Sequence, residues 1–197
     1  MIRKSAIAAA LLAASTLPAF AHLDPGEHGS FMAGFSHPLF GTDHILAMLA
    51  VGLWASLLAT RKALWQVPAA FVGTMFAGFL AAMAGVPLLF VEPVILASVI
   101  VIGLLAAVAL SVPVPAAMAM VGFFAFFHGY AHGGEIGAAG ATIYALGFSL
   151  ATAILHAAGI GFGIWLGRAF GARSGRTVAR IAGGLAATGG ILLALGA

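Results

Sequence analysis

The chain has 197 residues, of which 63% are hydrophobic and 7% charged, with 27 glycines, no cysteine and a mean hydropathy of +1.16. That composition excludes a soluble globule with a polar surface, and the missing thiols exclude disulfides and thiolate metal sites. The formal charge of +3 and the pI near 10.0 come from eight basic and five acidic residues. The bases fall between apolar runs, as Arg61-Lys62 and as Arg168, Arg173, Arg176 and Arg180. They read as topology signals for a lipid bilayer, not as a nucleic-acid patch.

Residues 1–21, MIRKSAIAAALLAASTLPAFA, join Arg3 and Lys4 to an apolar stretch, Pro18 and a closing Ala19-Phe20-Ala21. This is the layout of a secretory signal peptide, which puts the mature N-terminus at His22 on the periplasmic side. An uncleaved first helix is the competing reading and leaves the following segment on the same side, because Arg3 and Lys4 stay inside. Residues 22–36, HLDPGEHGSFMAGFS, are short, polar and Gly/Pro-bearing, so they read as a periplasmic loop. Within it His22 and His28, with Asp24 and Glu27, form a solvated segment in which His22 is a candidate for gathering metal.

Residues 37–197 are expected to form a domain of six membrane spans, making the protein an all-α integral membrane protein with six transmembrane helices after the signal peptide. The spans are placed near Pro38–Ala59, Val67–Ala84, Pro93–Ser111, Pro115–Gly134, Ala138–Gly167 and Val178–Leu195, the fifth being long enough to tilt or contain a break. Arg61-Lys62 and the Arg168–Arg180 group then both fall on the cytoplasmic side, as does the SVPVP turn, which satisfies the positive-inside rule for a multi-pass protein of the bacterial inner membrane. Three spans followed by three of opposite parity have the inverted topology common in secondary transporters, although no sequence repeat accompanies it. Trp54, Trp65 and Trp165 are expected as interface anchors, Glu92 as a cap before Pro93, and Met75, Met83, Met118 and Met120 as packing residues. Stretches such as GGLAATGG allow close helix approach, and a homo-oligomer is compatible with them.

Ionisable side chains are expensive inside a bilayer, about 2.5 to 3.5 kcal/mol on insertion scales, so they usually face a cavity, a partner or a ligand. Here they gather at the periplasmic ends of two spans. In HPLFGTDHILAM, a straight helix starting at Pro38 would place His44 about 20° from His37, with Met48 one turn further on and Asp43 rotated by about 100°. In FHGYAHGGE, His128, His132 and Glu135 fall within about 60° of one another on one helix face. Ser149, Thr152 and His156 make a third stripe. Neutral imidazoles with carboxylates suit borderline divalent transition ions such as nickel, cobalt, copper or zinc, and a thiolate-free set favours transit over storage. Gly41, Gly129, Gly133 and Gly134 leave room for a hydrated ion or for close backbone approach. The rival account is two separate polar clusters that pair helices; for His156 it is a simple interhelical hydrogen bond.

The pattern H-x5-D-H, His37 to His44, together with F-H-G-x-A-H-G-x-E, Phe127 to Glu135, resembles the HupE/UreJ family of nickel and cobalt permeases. The resemblance spans the whole mature chain. It implies uptake of nickel or cobalt from the periplasm as transported substrate, with no permanent cofactor, and a part in transport for His37, Asp43, His44, His128, His132 and Glu135. The ion is expected to pass from His37, Asp43 and His44 to His128 and His132, with Glu135 near the entrance and Met48 and His156 as further stations of the path. No G-x-x-x-x-G-K-[ST] motif is present, so ATP hydrolysis by this chain is not expected. A membrane-embedded zinc hydrolase and a b-type haem protein are the rival classes; haem leaves the neighbouring acids unexplained.

Overall fold

The computed structural model describes residues 30–58, 60–136 and 140–196, with the backbone alone for residues 135 and 136. The signal peptide and the segment carrying His22, Asp24, Glu27 and His28 lie outside the described residues. All regular structure among the described residues is helical: α1 (Phe31–Phe40), α2 (Thr42–Leu57), α3 (Ala63–Met83), α4 (Val91–Val108), α5 (Val114–Ile136) and α6 (Ala141–Ala194).

Two boundaries depart from the sequence expectation. Residues 31–36, expected as loop, are the first turns of α1, because the Ser30 hydroxyl accepts the Ala33 amide at 3.0 Å and caps the helix. Pro38 therefore sits inside α1 instead of starting a span. The chain then breaks at Gly41, which is extended (φ −75°, ψ 114°), and α2 leaves α1 at 80°.

Helices α3, α4, α5 and α6 are each long and apolar enough to cross a membrane, and α1 with α2 qualifies only as a bent pair. Helix α6 has 54 residues, about 80 Å if straight, against roughly 30 Å of hydrocarbon. It is not straight. Gly171 (φ 76°, ψ 164°) interrupts it, and Gly175 packs on the Leu166 carbonyl, whereas residues nine apart in one straight helix are about 14 Å apart. The chain thus folds back into two arms, residues 141–170 and 172–194. The Arg-rich stretch expected as a connecting loop is mostly helix, continuing the second arm down to residue 172.

Glycine contacts fix the helix directions. Gly78 faces the Phe126 carbonyl and Gly133 that of Phe79, so α3 and α5 run side by side in one direction. Gly147 faces the Phe31 carbonyl and Gly159 that of Leu49, so the first arm of α6 follows α1 and α2 in parallel. Its second arm runs against α4, with Gly183 at Ala106 and Gly190 at Val99. Leu80, Leu104, Phe123 and Leu185 are exposed on the outside of the bundle, as a lipid-facing surface requires.

The end carrying Arg61 and Lys62 is tied together by side chains. Arg180 Nε donates to the Ala107 carbonyl at 2.8 Å and Arg176 to that of Ala109 at 3.4 Å, which satisfies carbonyls left open where α4 ends. Trp65 and Trp165 are exposed, as anchors should be, but Trp54 is fully buried and donates to the Leu110 carbonyl at 2.9 Å. Trp54 is therefore a lock on the α4–α5 turn, not an interface residue.

Candidate functional site

At the opposite end, α1, α2 and α5 bring histidines together. The bend at Gly41, not a shared stripe, does this for the first two: His37 lies on α1 and His44 on α2, with ring centroids 5.6 Å apart. His132 on α5 completes the group, 4.4 Å from the His37 ring and 4.9 Å from that of His44. One nitrogen from each of the three falls within 4.8 Å of the others. The nitrogens of a tetrahedral ion site, with metal–nitrogen bonds near 2.0–2.1 Å, are about 3.3 Å apart. Inward movement of about an ångström closes the set on an ion.

His44 is the hub. Its Nε2 lies 2.9 Å from His132 Nε2 and 3.5 Å from His128 Nδ1, and its Nδ1 lies 3.1 Å from Asp43 Oδ1. A carboxylate beside Nδ1 favours the proton there, which leaves Nε2 as the lone pair facing the cluster.

His128 is oriented by a residue that the sequence reading passed over. Ser98 on α4 is fully buried, its hydroxyl donates to the Ile95 carbonyl at 2.6 Å, and its oxygen lies 2.8 Å from His128 Nε2. A hydroxyl has one proton, already committed, so Ser98 accepts and His128 Nε2 is the donor. The lone pair of neutral His128 is then on Nδ1, facing His44. Ser98→Ala is expected to free this tautomer and lower ion affinity about tenfold or more with little change in fold, measured by cobalt titration of purified protein.

The cluster opens to a cavity of ≈170 Å³ lined by His37, Gly41, Asp43, His44, Glu92 and His132, among others. Glu92 is the second residue missed: expected only as a cap, it is an exposed carboxylate on the cavity wall. Burial is graded inward, from exposed Glu92 through half-buried His37 and Asp43 to His44 and His132 at 4% exposure and His128 at 0%. Such a gradient lets an ion shed water in steps. The signal for both missed residues was available, since Glu92 and Ser98 are the polar side chains of an otherwise apolar helix, VEPVILASVIVIGLL.

Of the remaining candidates, Met48 is fully buried one turn below His44, and His156 is fully buried on α6 without joining the cluster. Glu135 lies in the last turn of α5 and its side chain is outside the described residues, as is His22. The glycines divide. Gly129 and Gly133 face the carbonyls of Met75 and Phe79, whereas Gly134 has open space beside it and Gly41 adjoins Asp43 and His44.

The chain matches the family model described as HupE / UreJ protein over residues 9–193. It is 46% identical over 187 residues to Protein HupE of Rhizobium leguminosarum bv. viciae, an alignment covering 94% of this chain and 95% of that protein. No solved structure matches it.

Proposed function

Because the chain belongs to the HupE/UreJ family, we propose that it is a secondary permease taking up divalent nickel or cobalt across the bacterial inner membrane. The observation that carries this reading is the set of imidazole nitrogens of His44, His128 and His132, joined by His37 and reached through a cavity edged by Asp43 and Glu92. Neutral nitrogen donors with carboxylates at the mouth attract a divalent ion, and the open spacing favours its release. Glu135 is assigned to the entrance. The ion is substrate, and no resident cofactor is invoked.

The orientation follows from charge. The Arg61–Lys62 end faces the cytoplasm and the histidine end the periplasm, with the mature N-terminus outside after removal of residues 1–21. Six crossings account for the helix directions if α1–α2 forms one and the arms of α6 form two. A zinc hydrolase is the weaker reading, because Asp43 is held against His44 Nδ1 instead of standing free to activate water.

The test is accumulation of radiolabelled nickel and cobalt by cells lacking their own carriers. Uptake by the wild type is expected for at least one ion, with competition ranking the two, and no uptake of either removes the proposal.

A further inference from the structure

Below the cluster lies a further histidine that the outer site does not use. His156 is fully buried, and among the described residues neither Nδ1 nor Nε2 has a hydrogen-bond partner. A neutral imidazole carries one N–H and one lone pair, and leaving such groups unsatisfied in a dry interior is unfavourable. A leucine would fill this position more cheaply.

Its surroundings supply further donors. Thr74, Thr177 and Thr188 all turn their hydroxyls back to the carbonyl four residues earlier in their own helix. Thr152, one turn before His156 and fully buried, instead donates across to Met75 Sδ on α3 at 3.8 Å. A hydroxyl, a thioether and an imidazole thus occupy adjoining turns at one helix interface.

The relation to the outer cluster is axial. Phe148 packs on the rings of His44 and His132, and His156 is eight residues further along the same arm, about 12 Å deeper. Between the levels stands Phe71, its ring centroid 5.8 Å from that of His128 and 4.9 Å from that of His156. On its other side His156 borders a cavity of ≈330 Å³ that includes Leu64, Pro68 and Ile160 and reaches toward the Arg61–Lys62 end.

We propose that His156, with the Met75 thioether and the Thr152 hydroxyl, forms a second, inner binding station for a divalent transition-metal ion, partitioned from the outer cluster by the Phe71 ring. This rests on the permease reading and deepens it. A softer donor set containing sulfur receives the ion after the carboxylates of the mouth have been left behind.

The test counts cobalt ions bound per chain by equilibrium dialysis of the full-length protein in lipid nanodiscs, with uptake measured alongside. Two ions are expected for the wild type, one for His44→Ala and one for His156→Leu. His156→Leu removes no hydrogen bond, so its thermal stability should equal or exceed that of the wild type while uptake is lost. Met75→Leu conserves volume and should weaken only the inner ion, by about tenfold. One ion in the wild type that His44→Ala abolishes and His156→Leu retains overturns the inner station and leaves the outer one standing. Wild-type ion count and uptake in His156→Leu also overturn it. Two ions retained in His44→Ala, with one lost in His156→Leu, instead sink the outer assignment and uphold the inner.

Discussion

Replacing His44 with alanine is expected to lower metal uptake on the order of a hundredfold or more at unchanged membrane abundance. Loss of a residue that merely orients a metal ligand already costs about 10–100-fold, and in the proposed permease His44 both binds and orients. Its Nε2 is 2.9 Å from His132 Nε2 and 3.5 Å from His128 Nδ1, so its removal separates the half-buried entrance from the deepest nitrogen of the cluster. It also leaves Asp43 without the imidazole 3.1 Å away. His37→Ala should be milder, because His37 is only half-buried at the rim. Uptake of the labelled ion at matched abundance decides the matter. Equal losses in the two variants would mean that the four imidazoles act as one unit without a hub, and wild-type uptake by His44→Ala would remove the cluster from the path.

Sequence spacing locates a histidine on a regular helix and misleads where the helix bends. His128 and His132 share a face because α5 runs unbroken past both, so a spacing of four has its ordinary meaning. The same arithmetic applied to His37 and His44 assumes a straight helix that Gly41 breaks by 80°. The two rings meet all the same, because a bend at that glycine turns α1 back over the start of α2. An extended glycine between two helical segments leaves no periodic trace, and the packing of α6 on α1 through Gly34 and Gly147 is a contact between helices that periodicity does not report.

Ser98 and Glu92 stand out by their polarity, but their partners do not follow from it. A serine in an apolar helix more often bonds its own backbone, and Ser98 does so with Ile95; the added role comes from His128 standing opposite on another helix. Partners across an interface cannot be read from one helix alone. The Arg-rich stretch before the last span has a third explanation. Charged residues beyond the hydrocarbon suit a loop or a helix equally, and Ala and Arg are good helix formers, so the second arm of α6 extends past the apolar boundary.

Gly129→Ala should disable the protein by a route that involves no ligand. A Cβ at Gly129 would run into the Met75 carbonyl, which is held in α3 and cannot rotate away as a side chain can. The helices must separate or strain, at a typical overpacking cost of about 1–3 kcal/mol. Gly129 adjoins His128, whose bond to Ser98 is 2.8 Å long, and displacement of α5 by even half an ångström loosens the tautomer lock and shifts Met75 at the inner level. A lower unfolding temperature in detergent and a large fall in uptake are therefore expected together. Gly134→Ala, five residues further along the same motif, is the matched control. Among the described residues nothing lies within 4 Å of its added Cβ, so the expected change is the better helix propensity of alanine, about 1 kcal/mol in favour of the fold. Equal stability and uptake in the two variants would mean that α3 and α5 do not approach through Gly129, and the positions assigned to His128 and Met75 would fall with that contact.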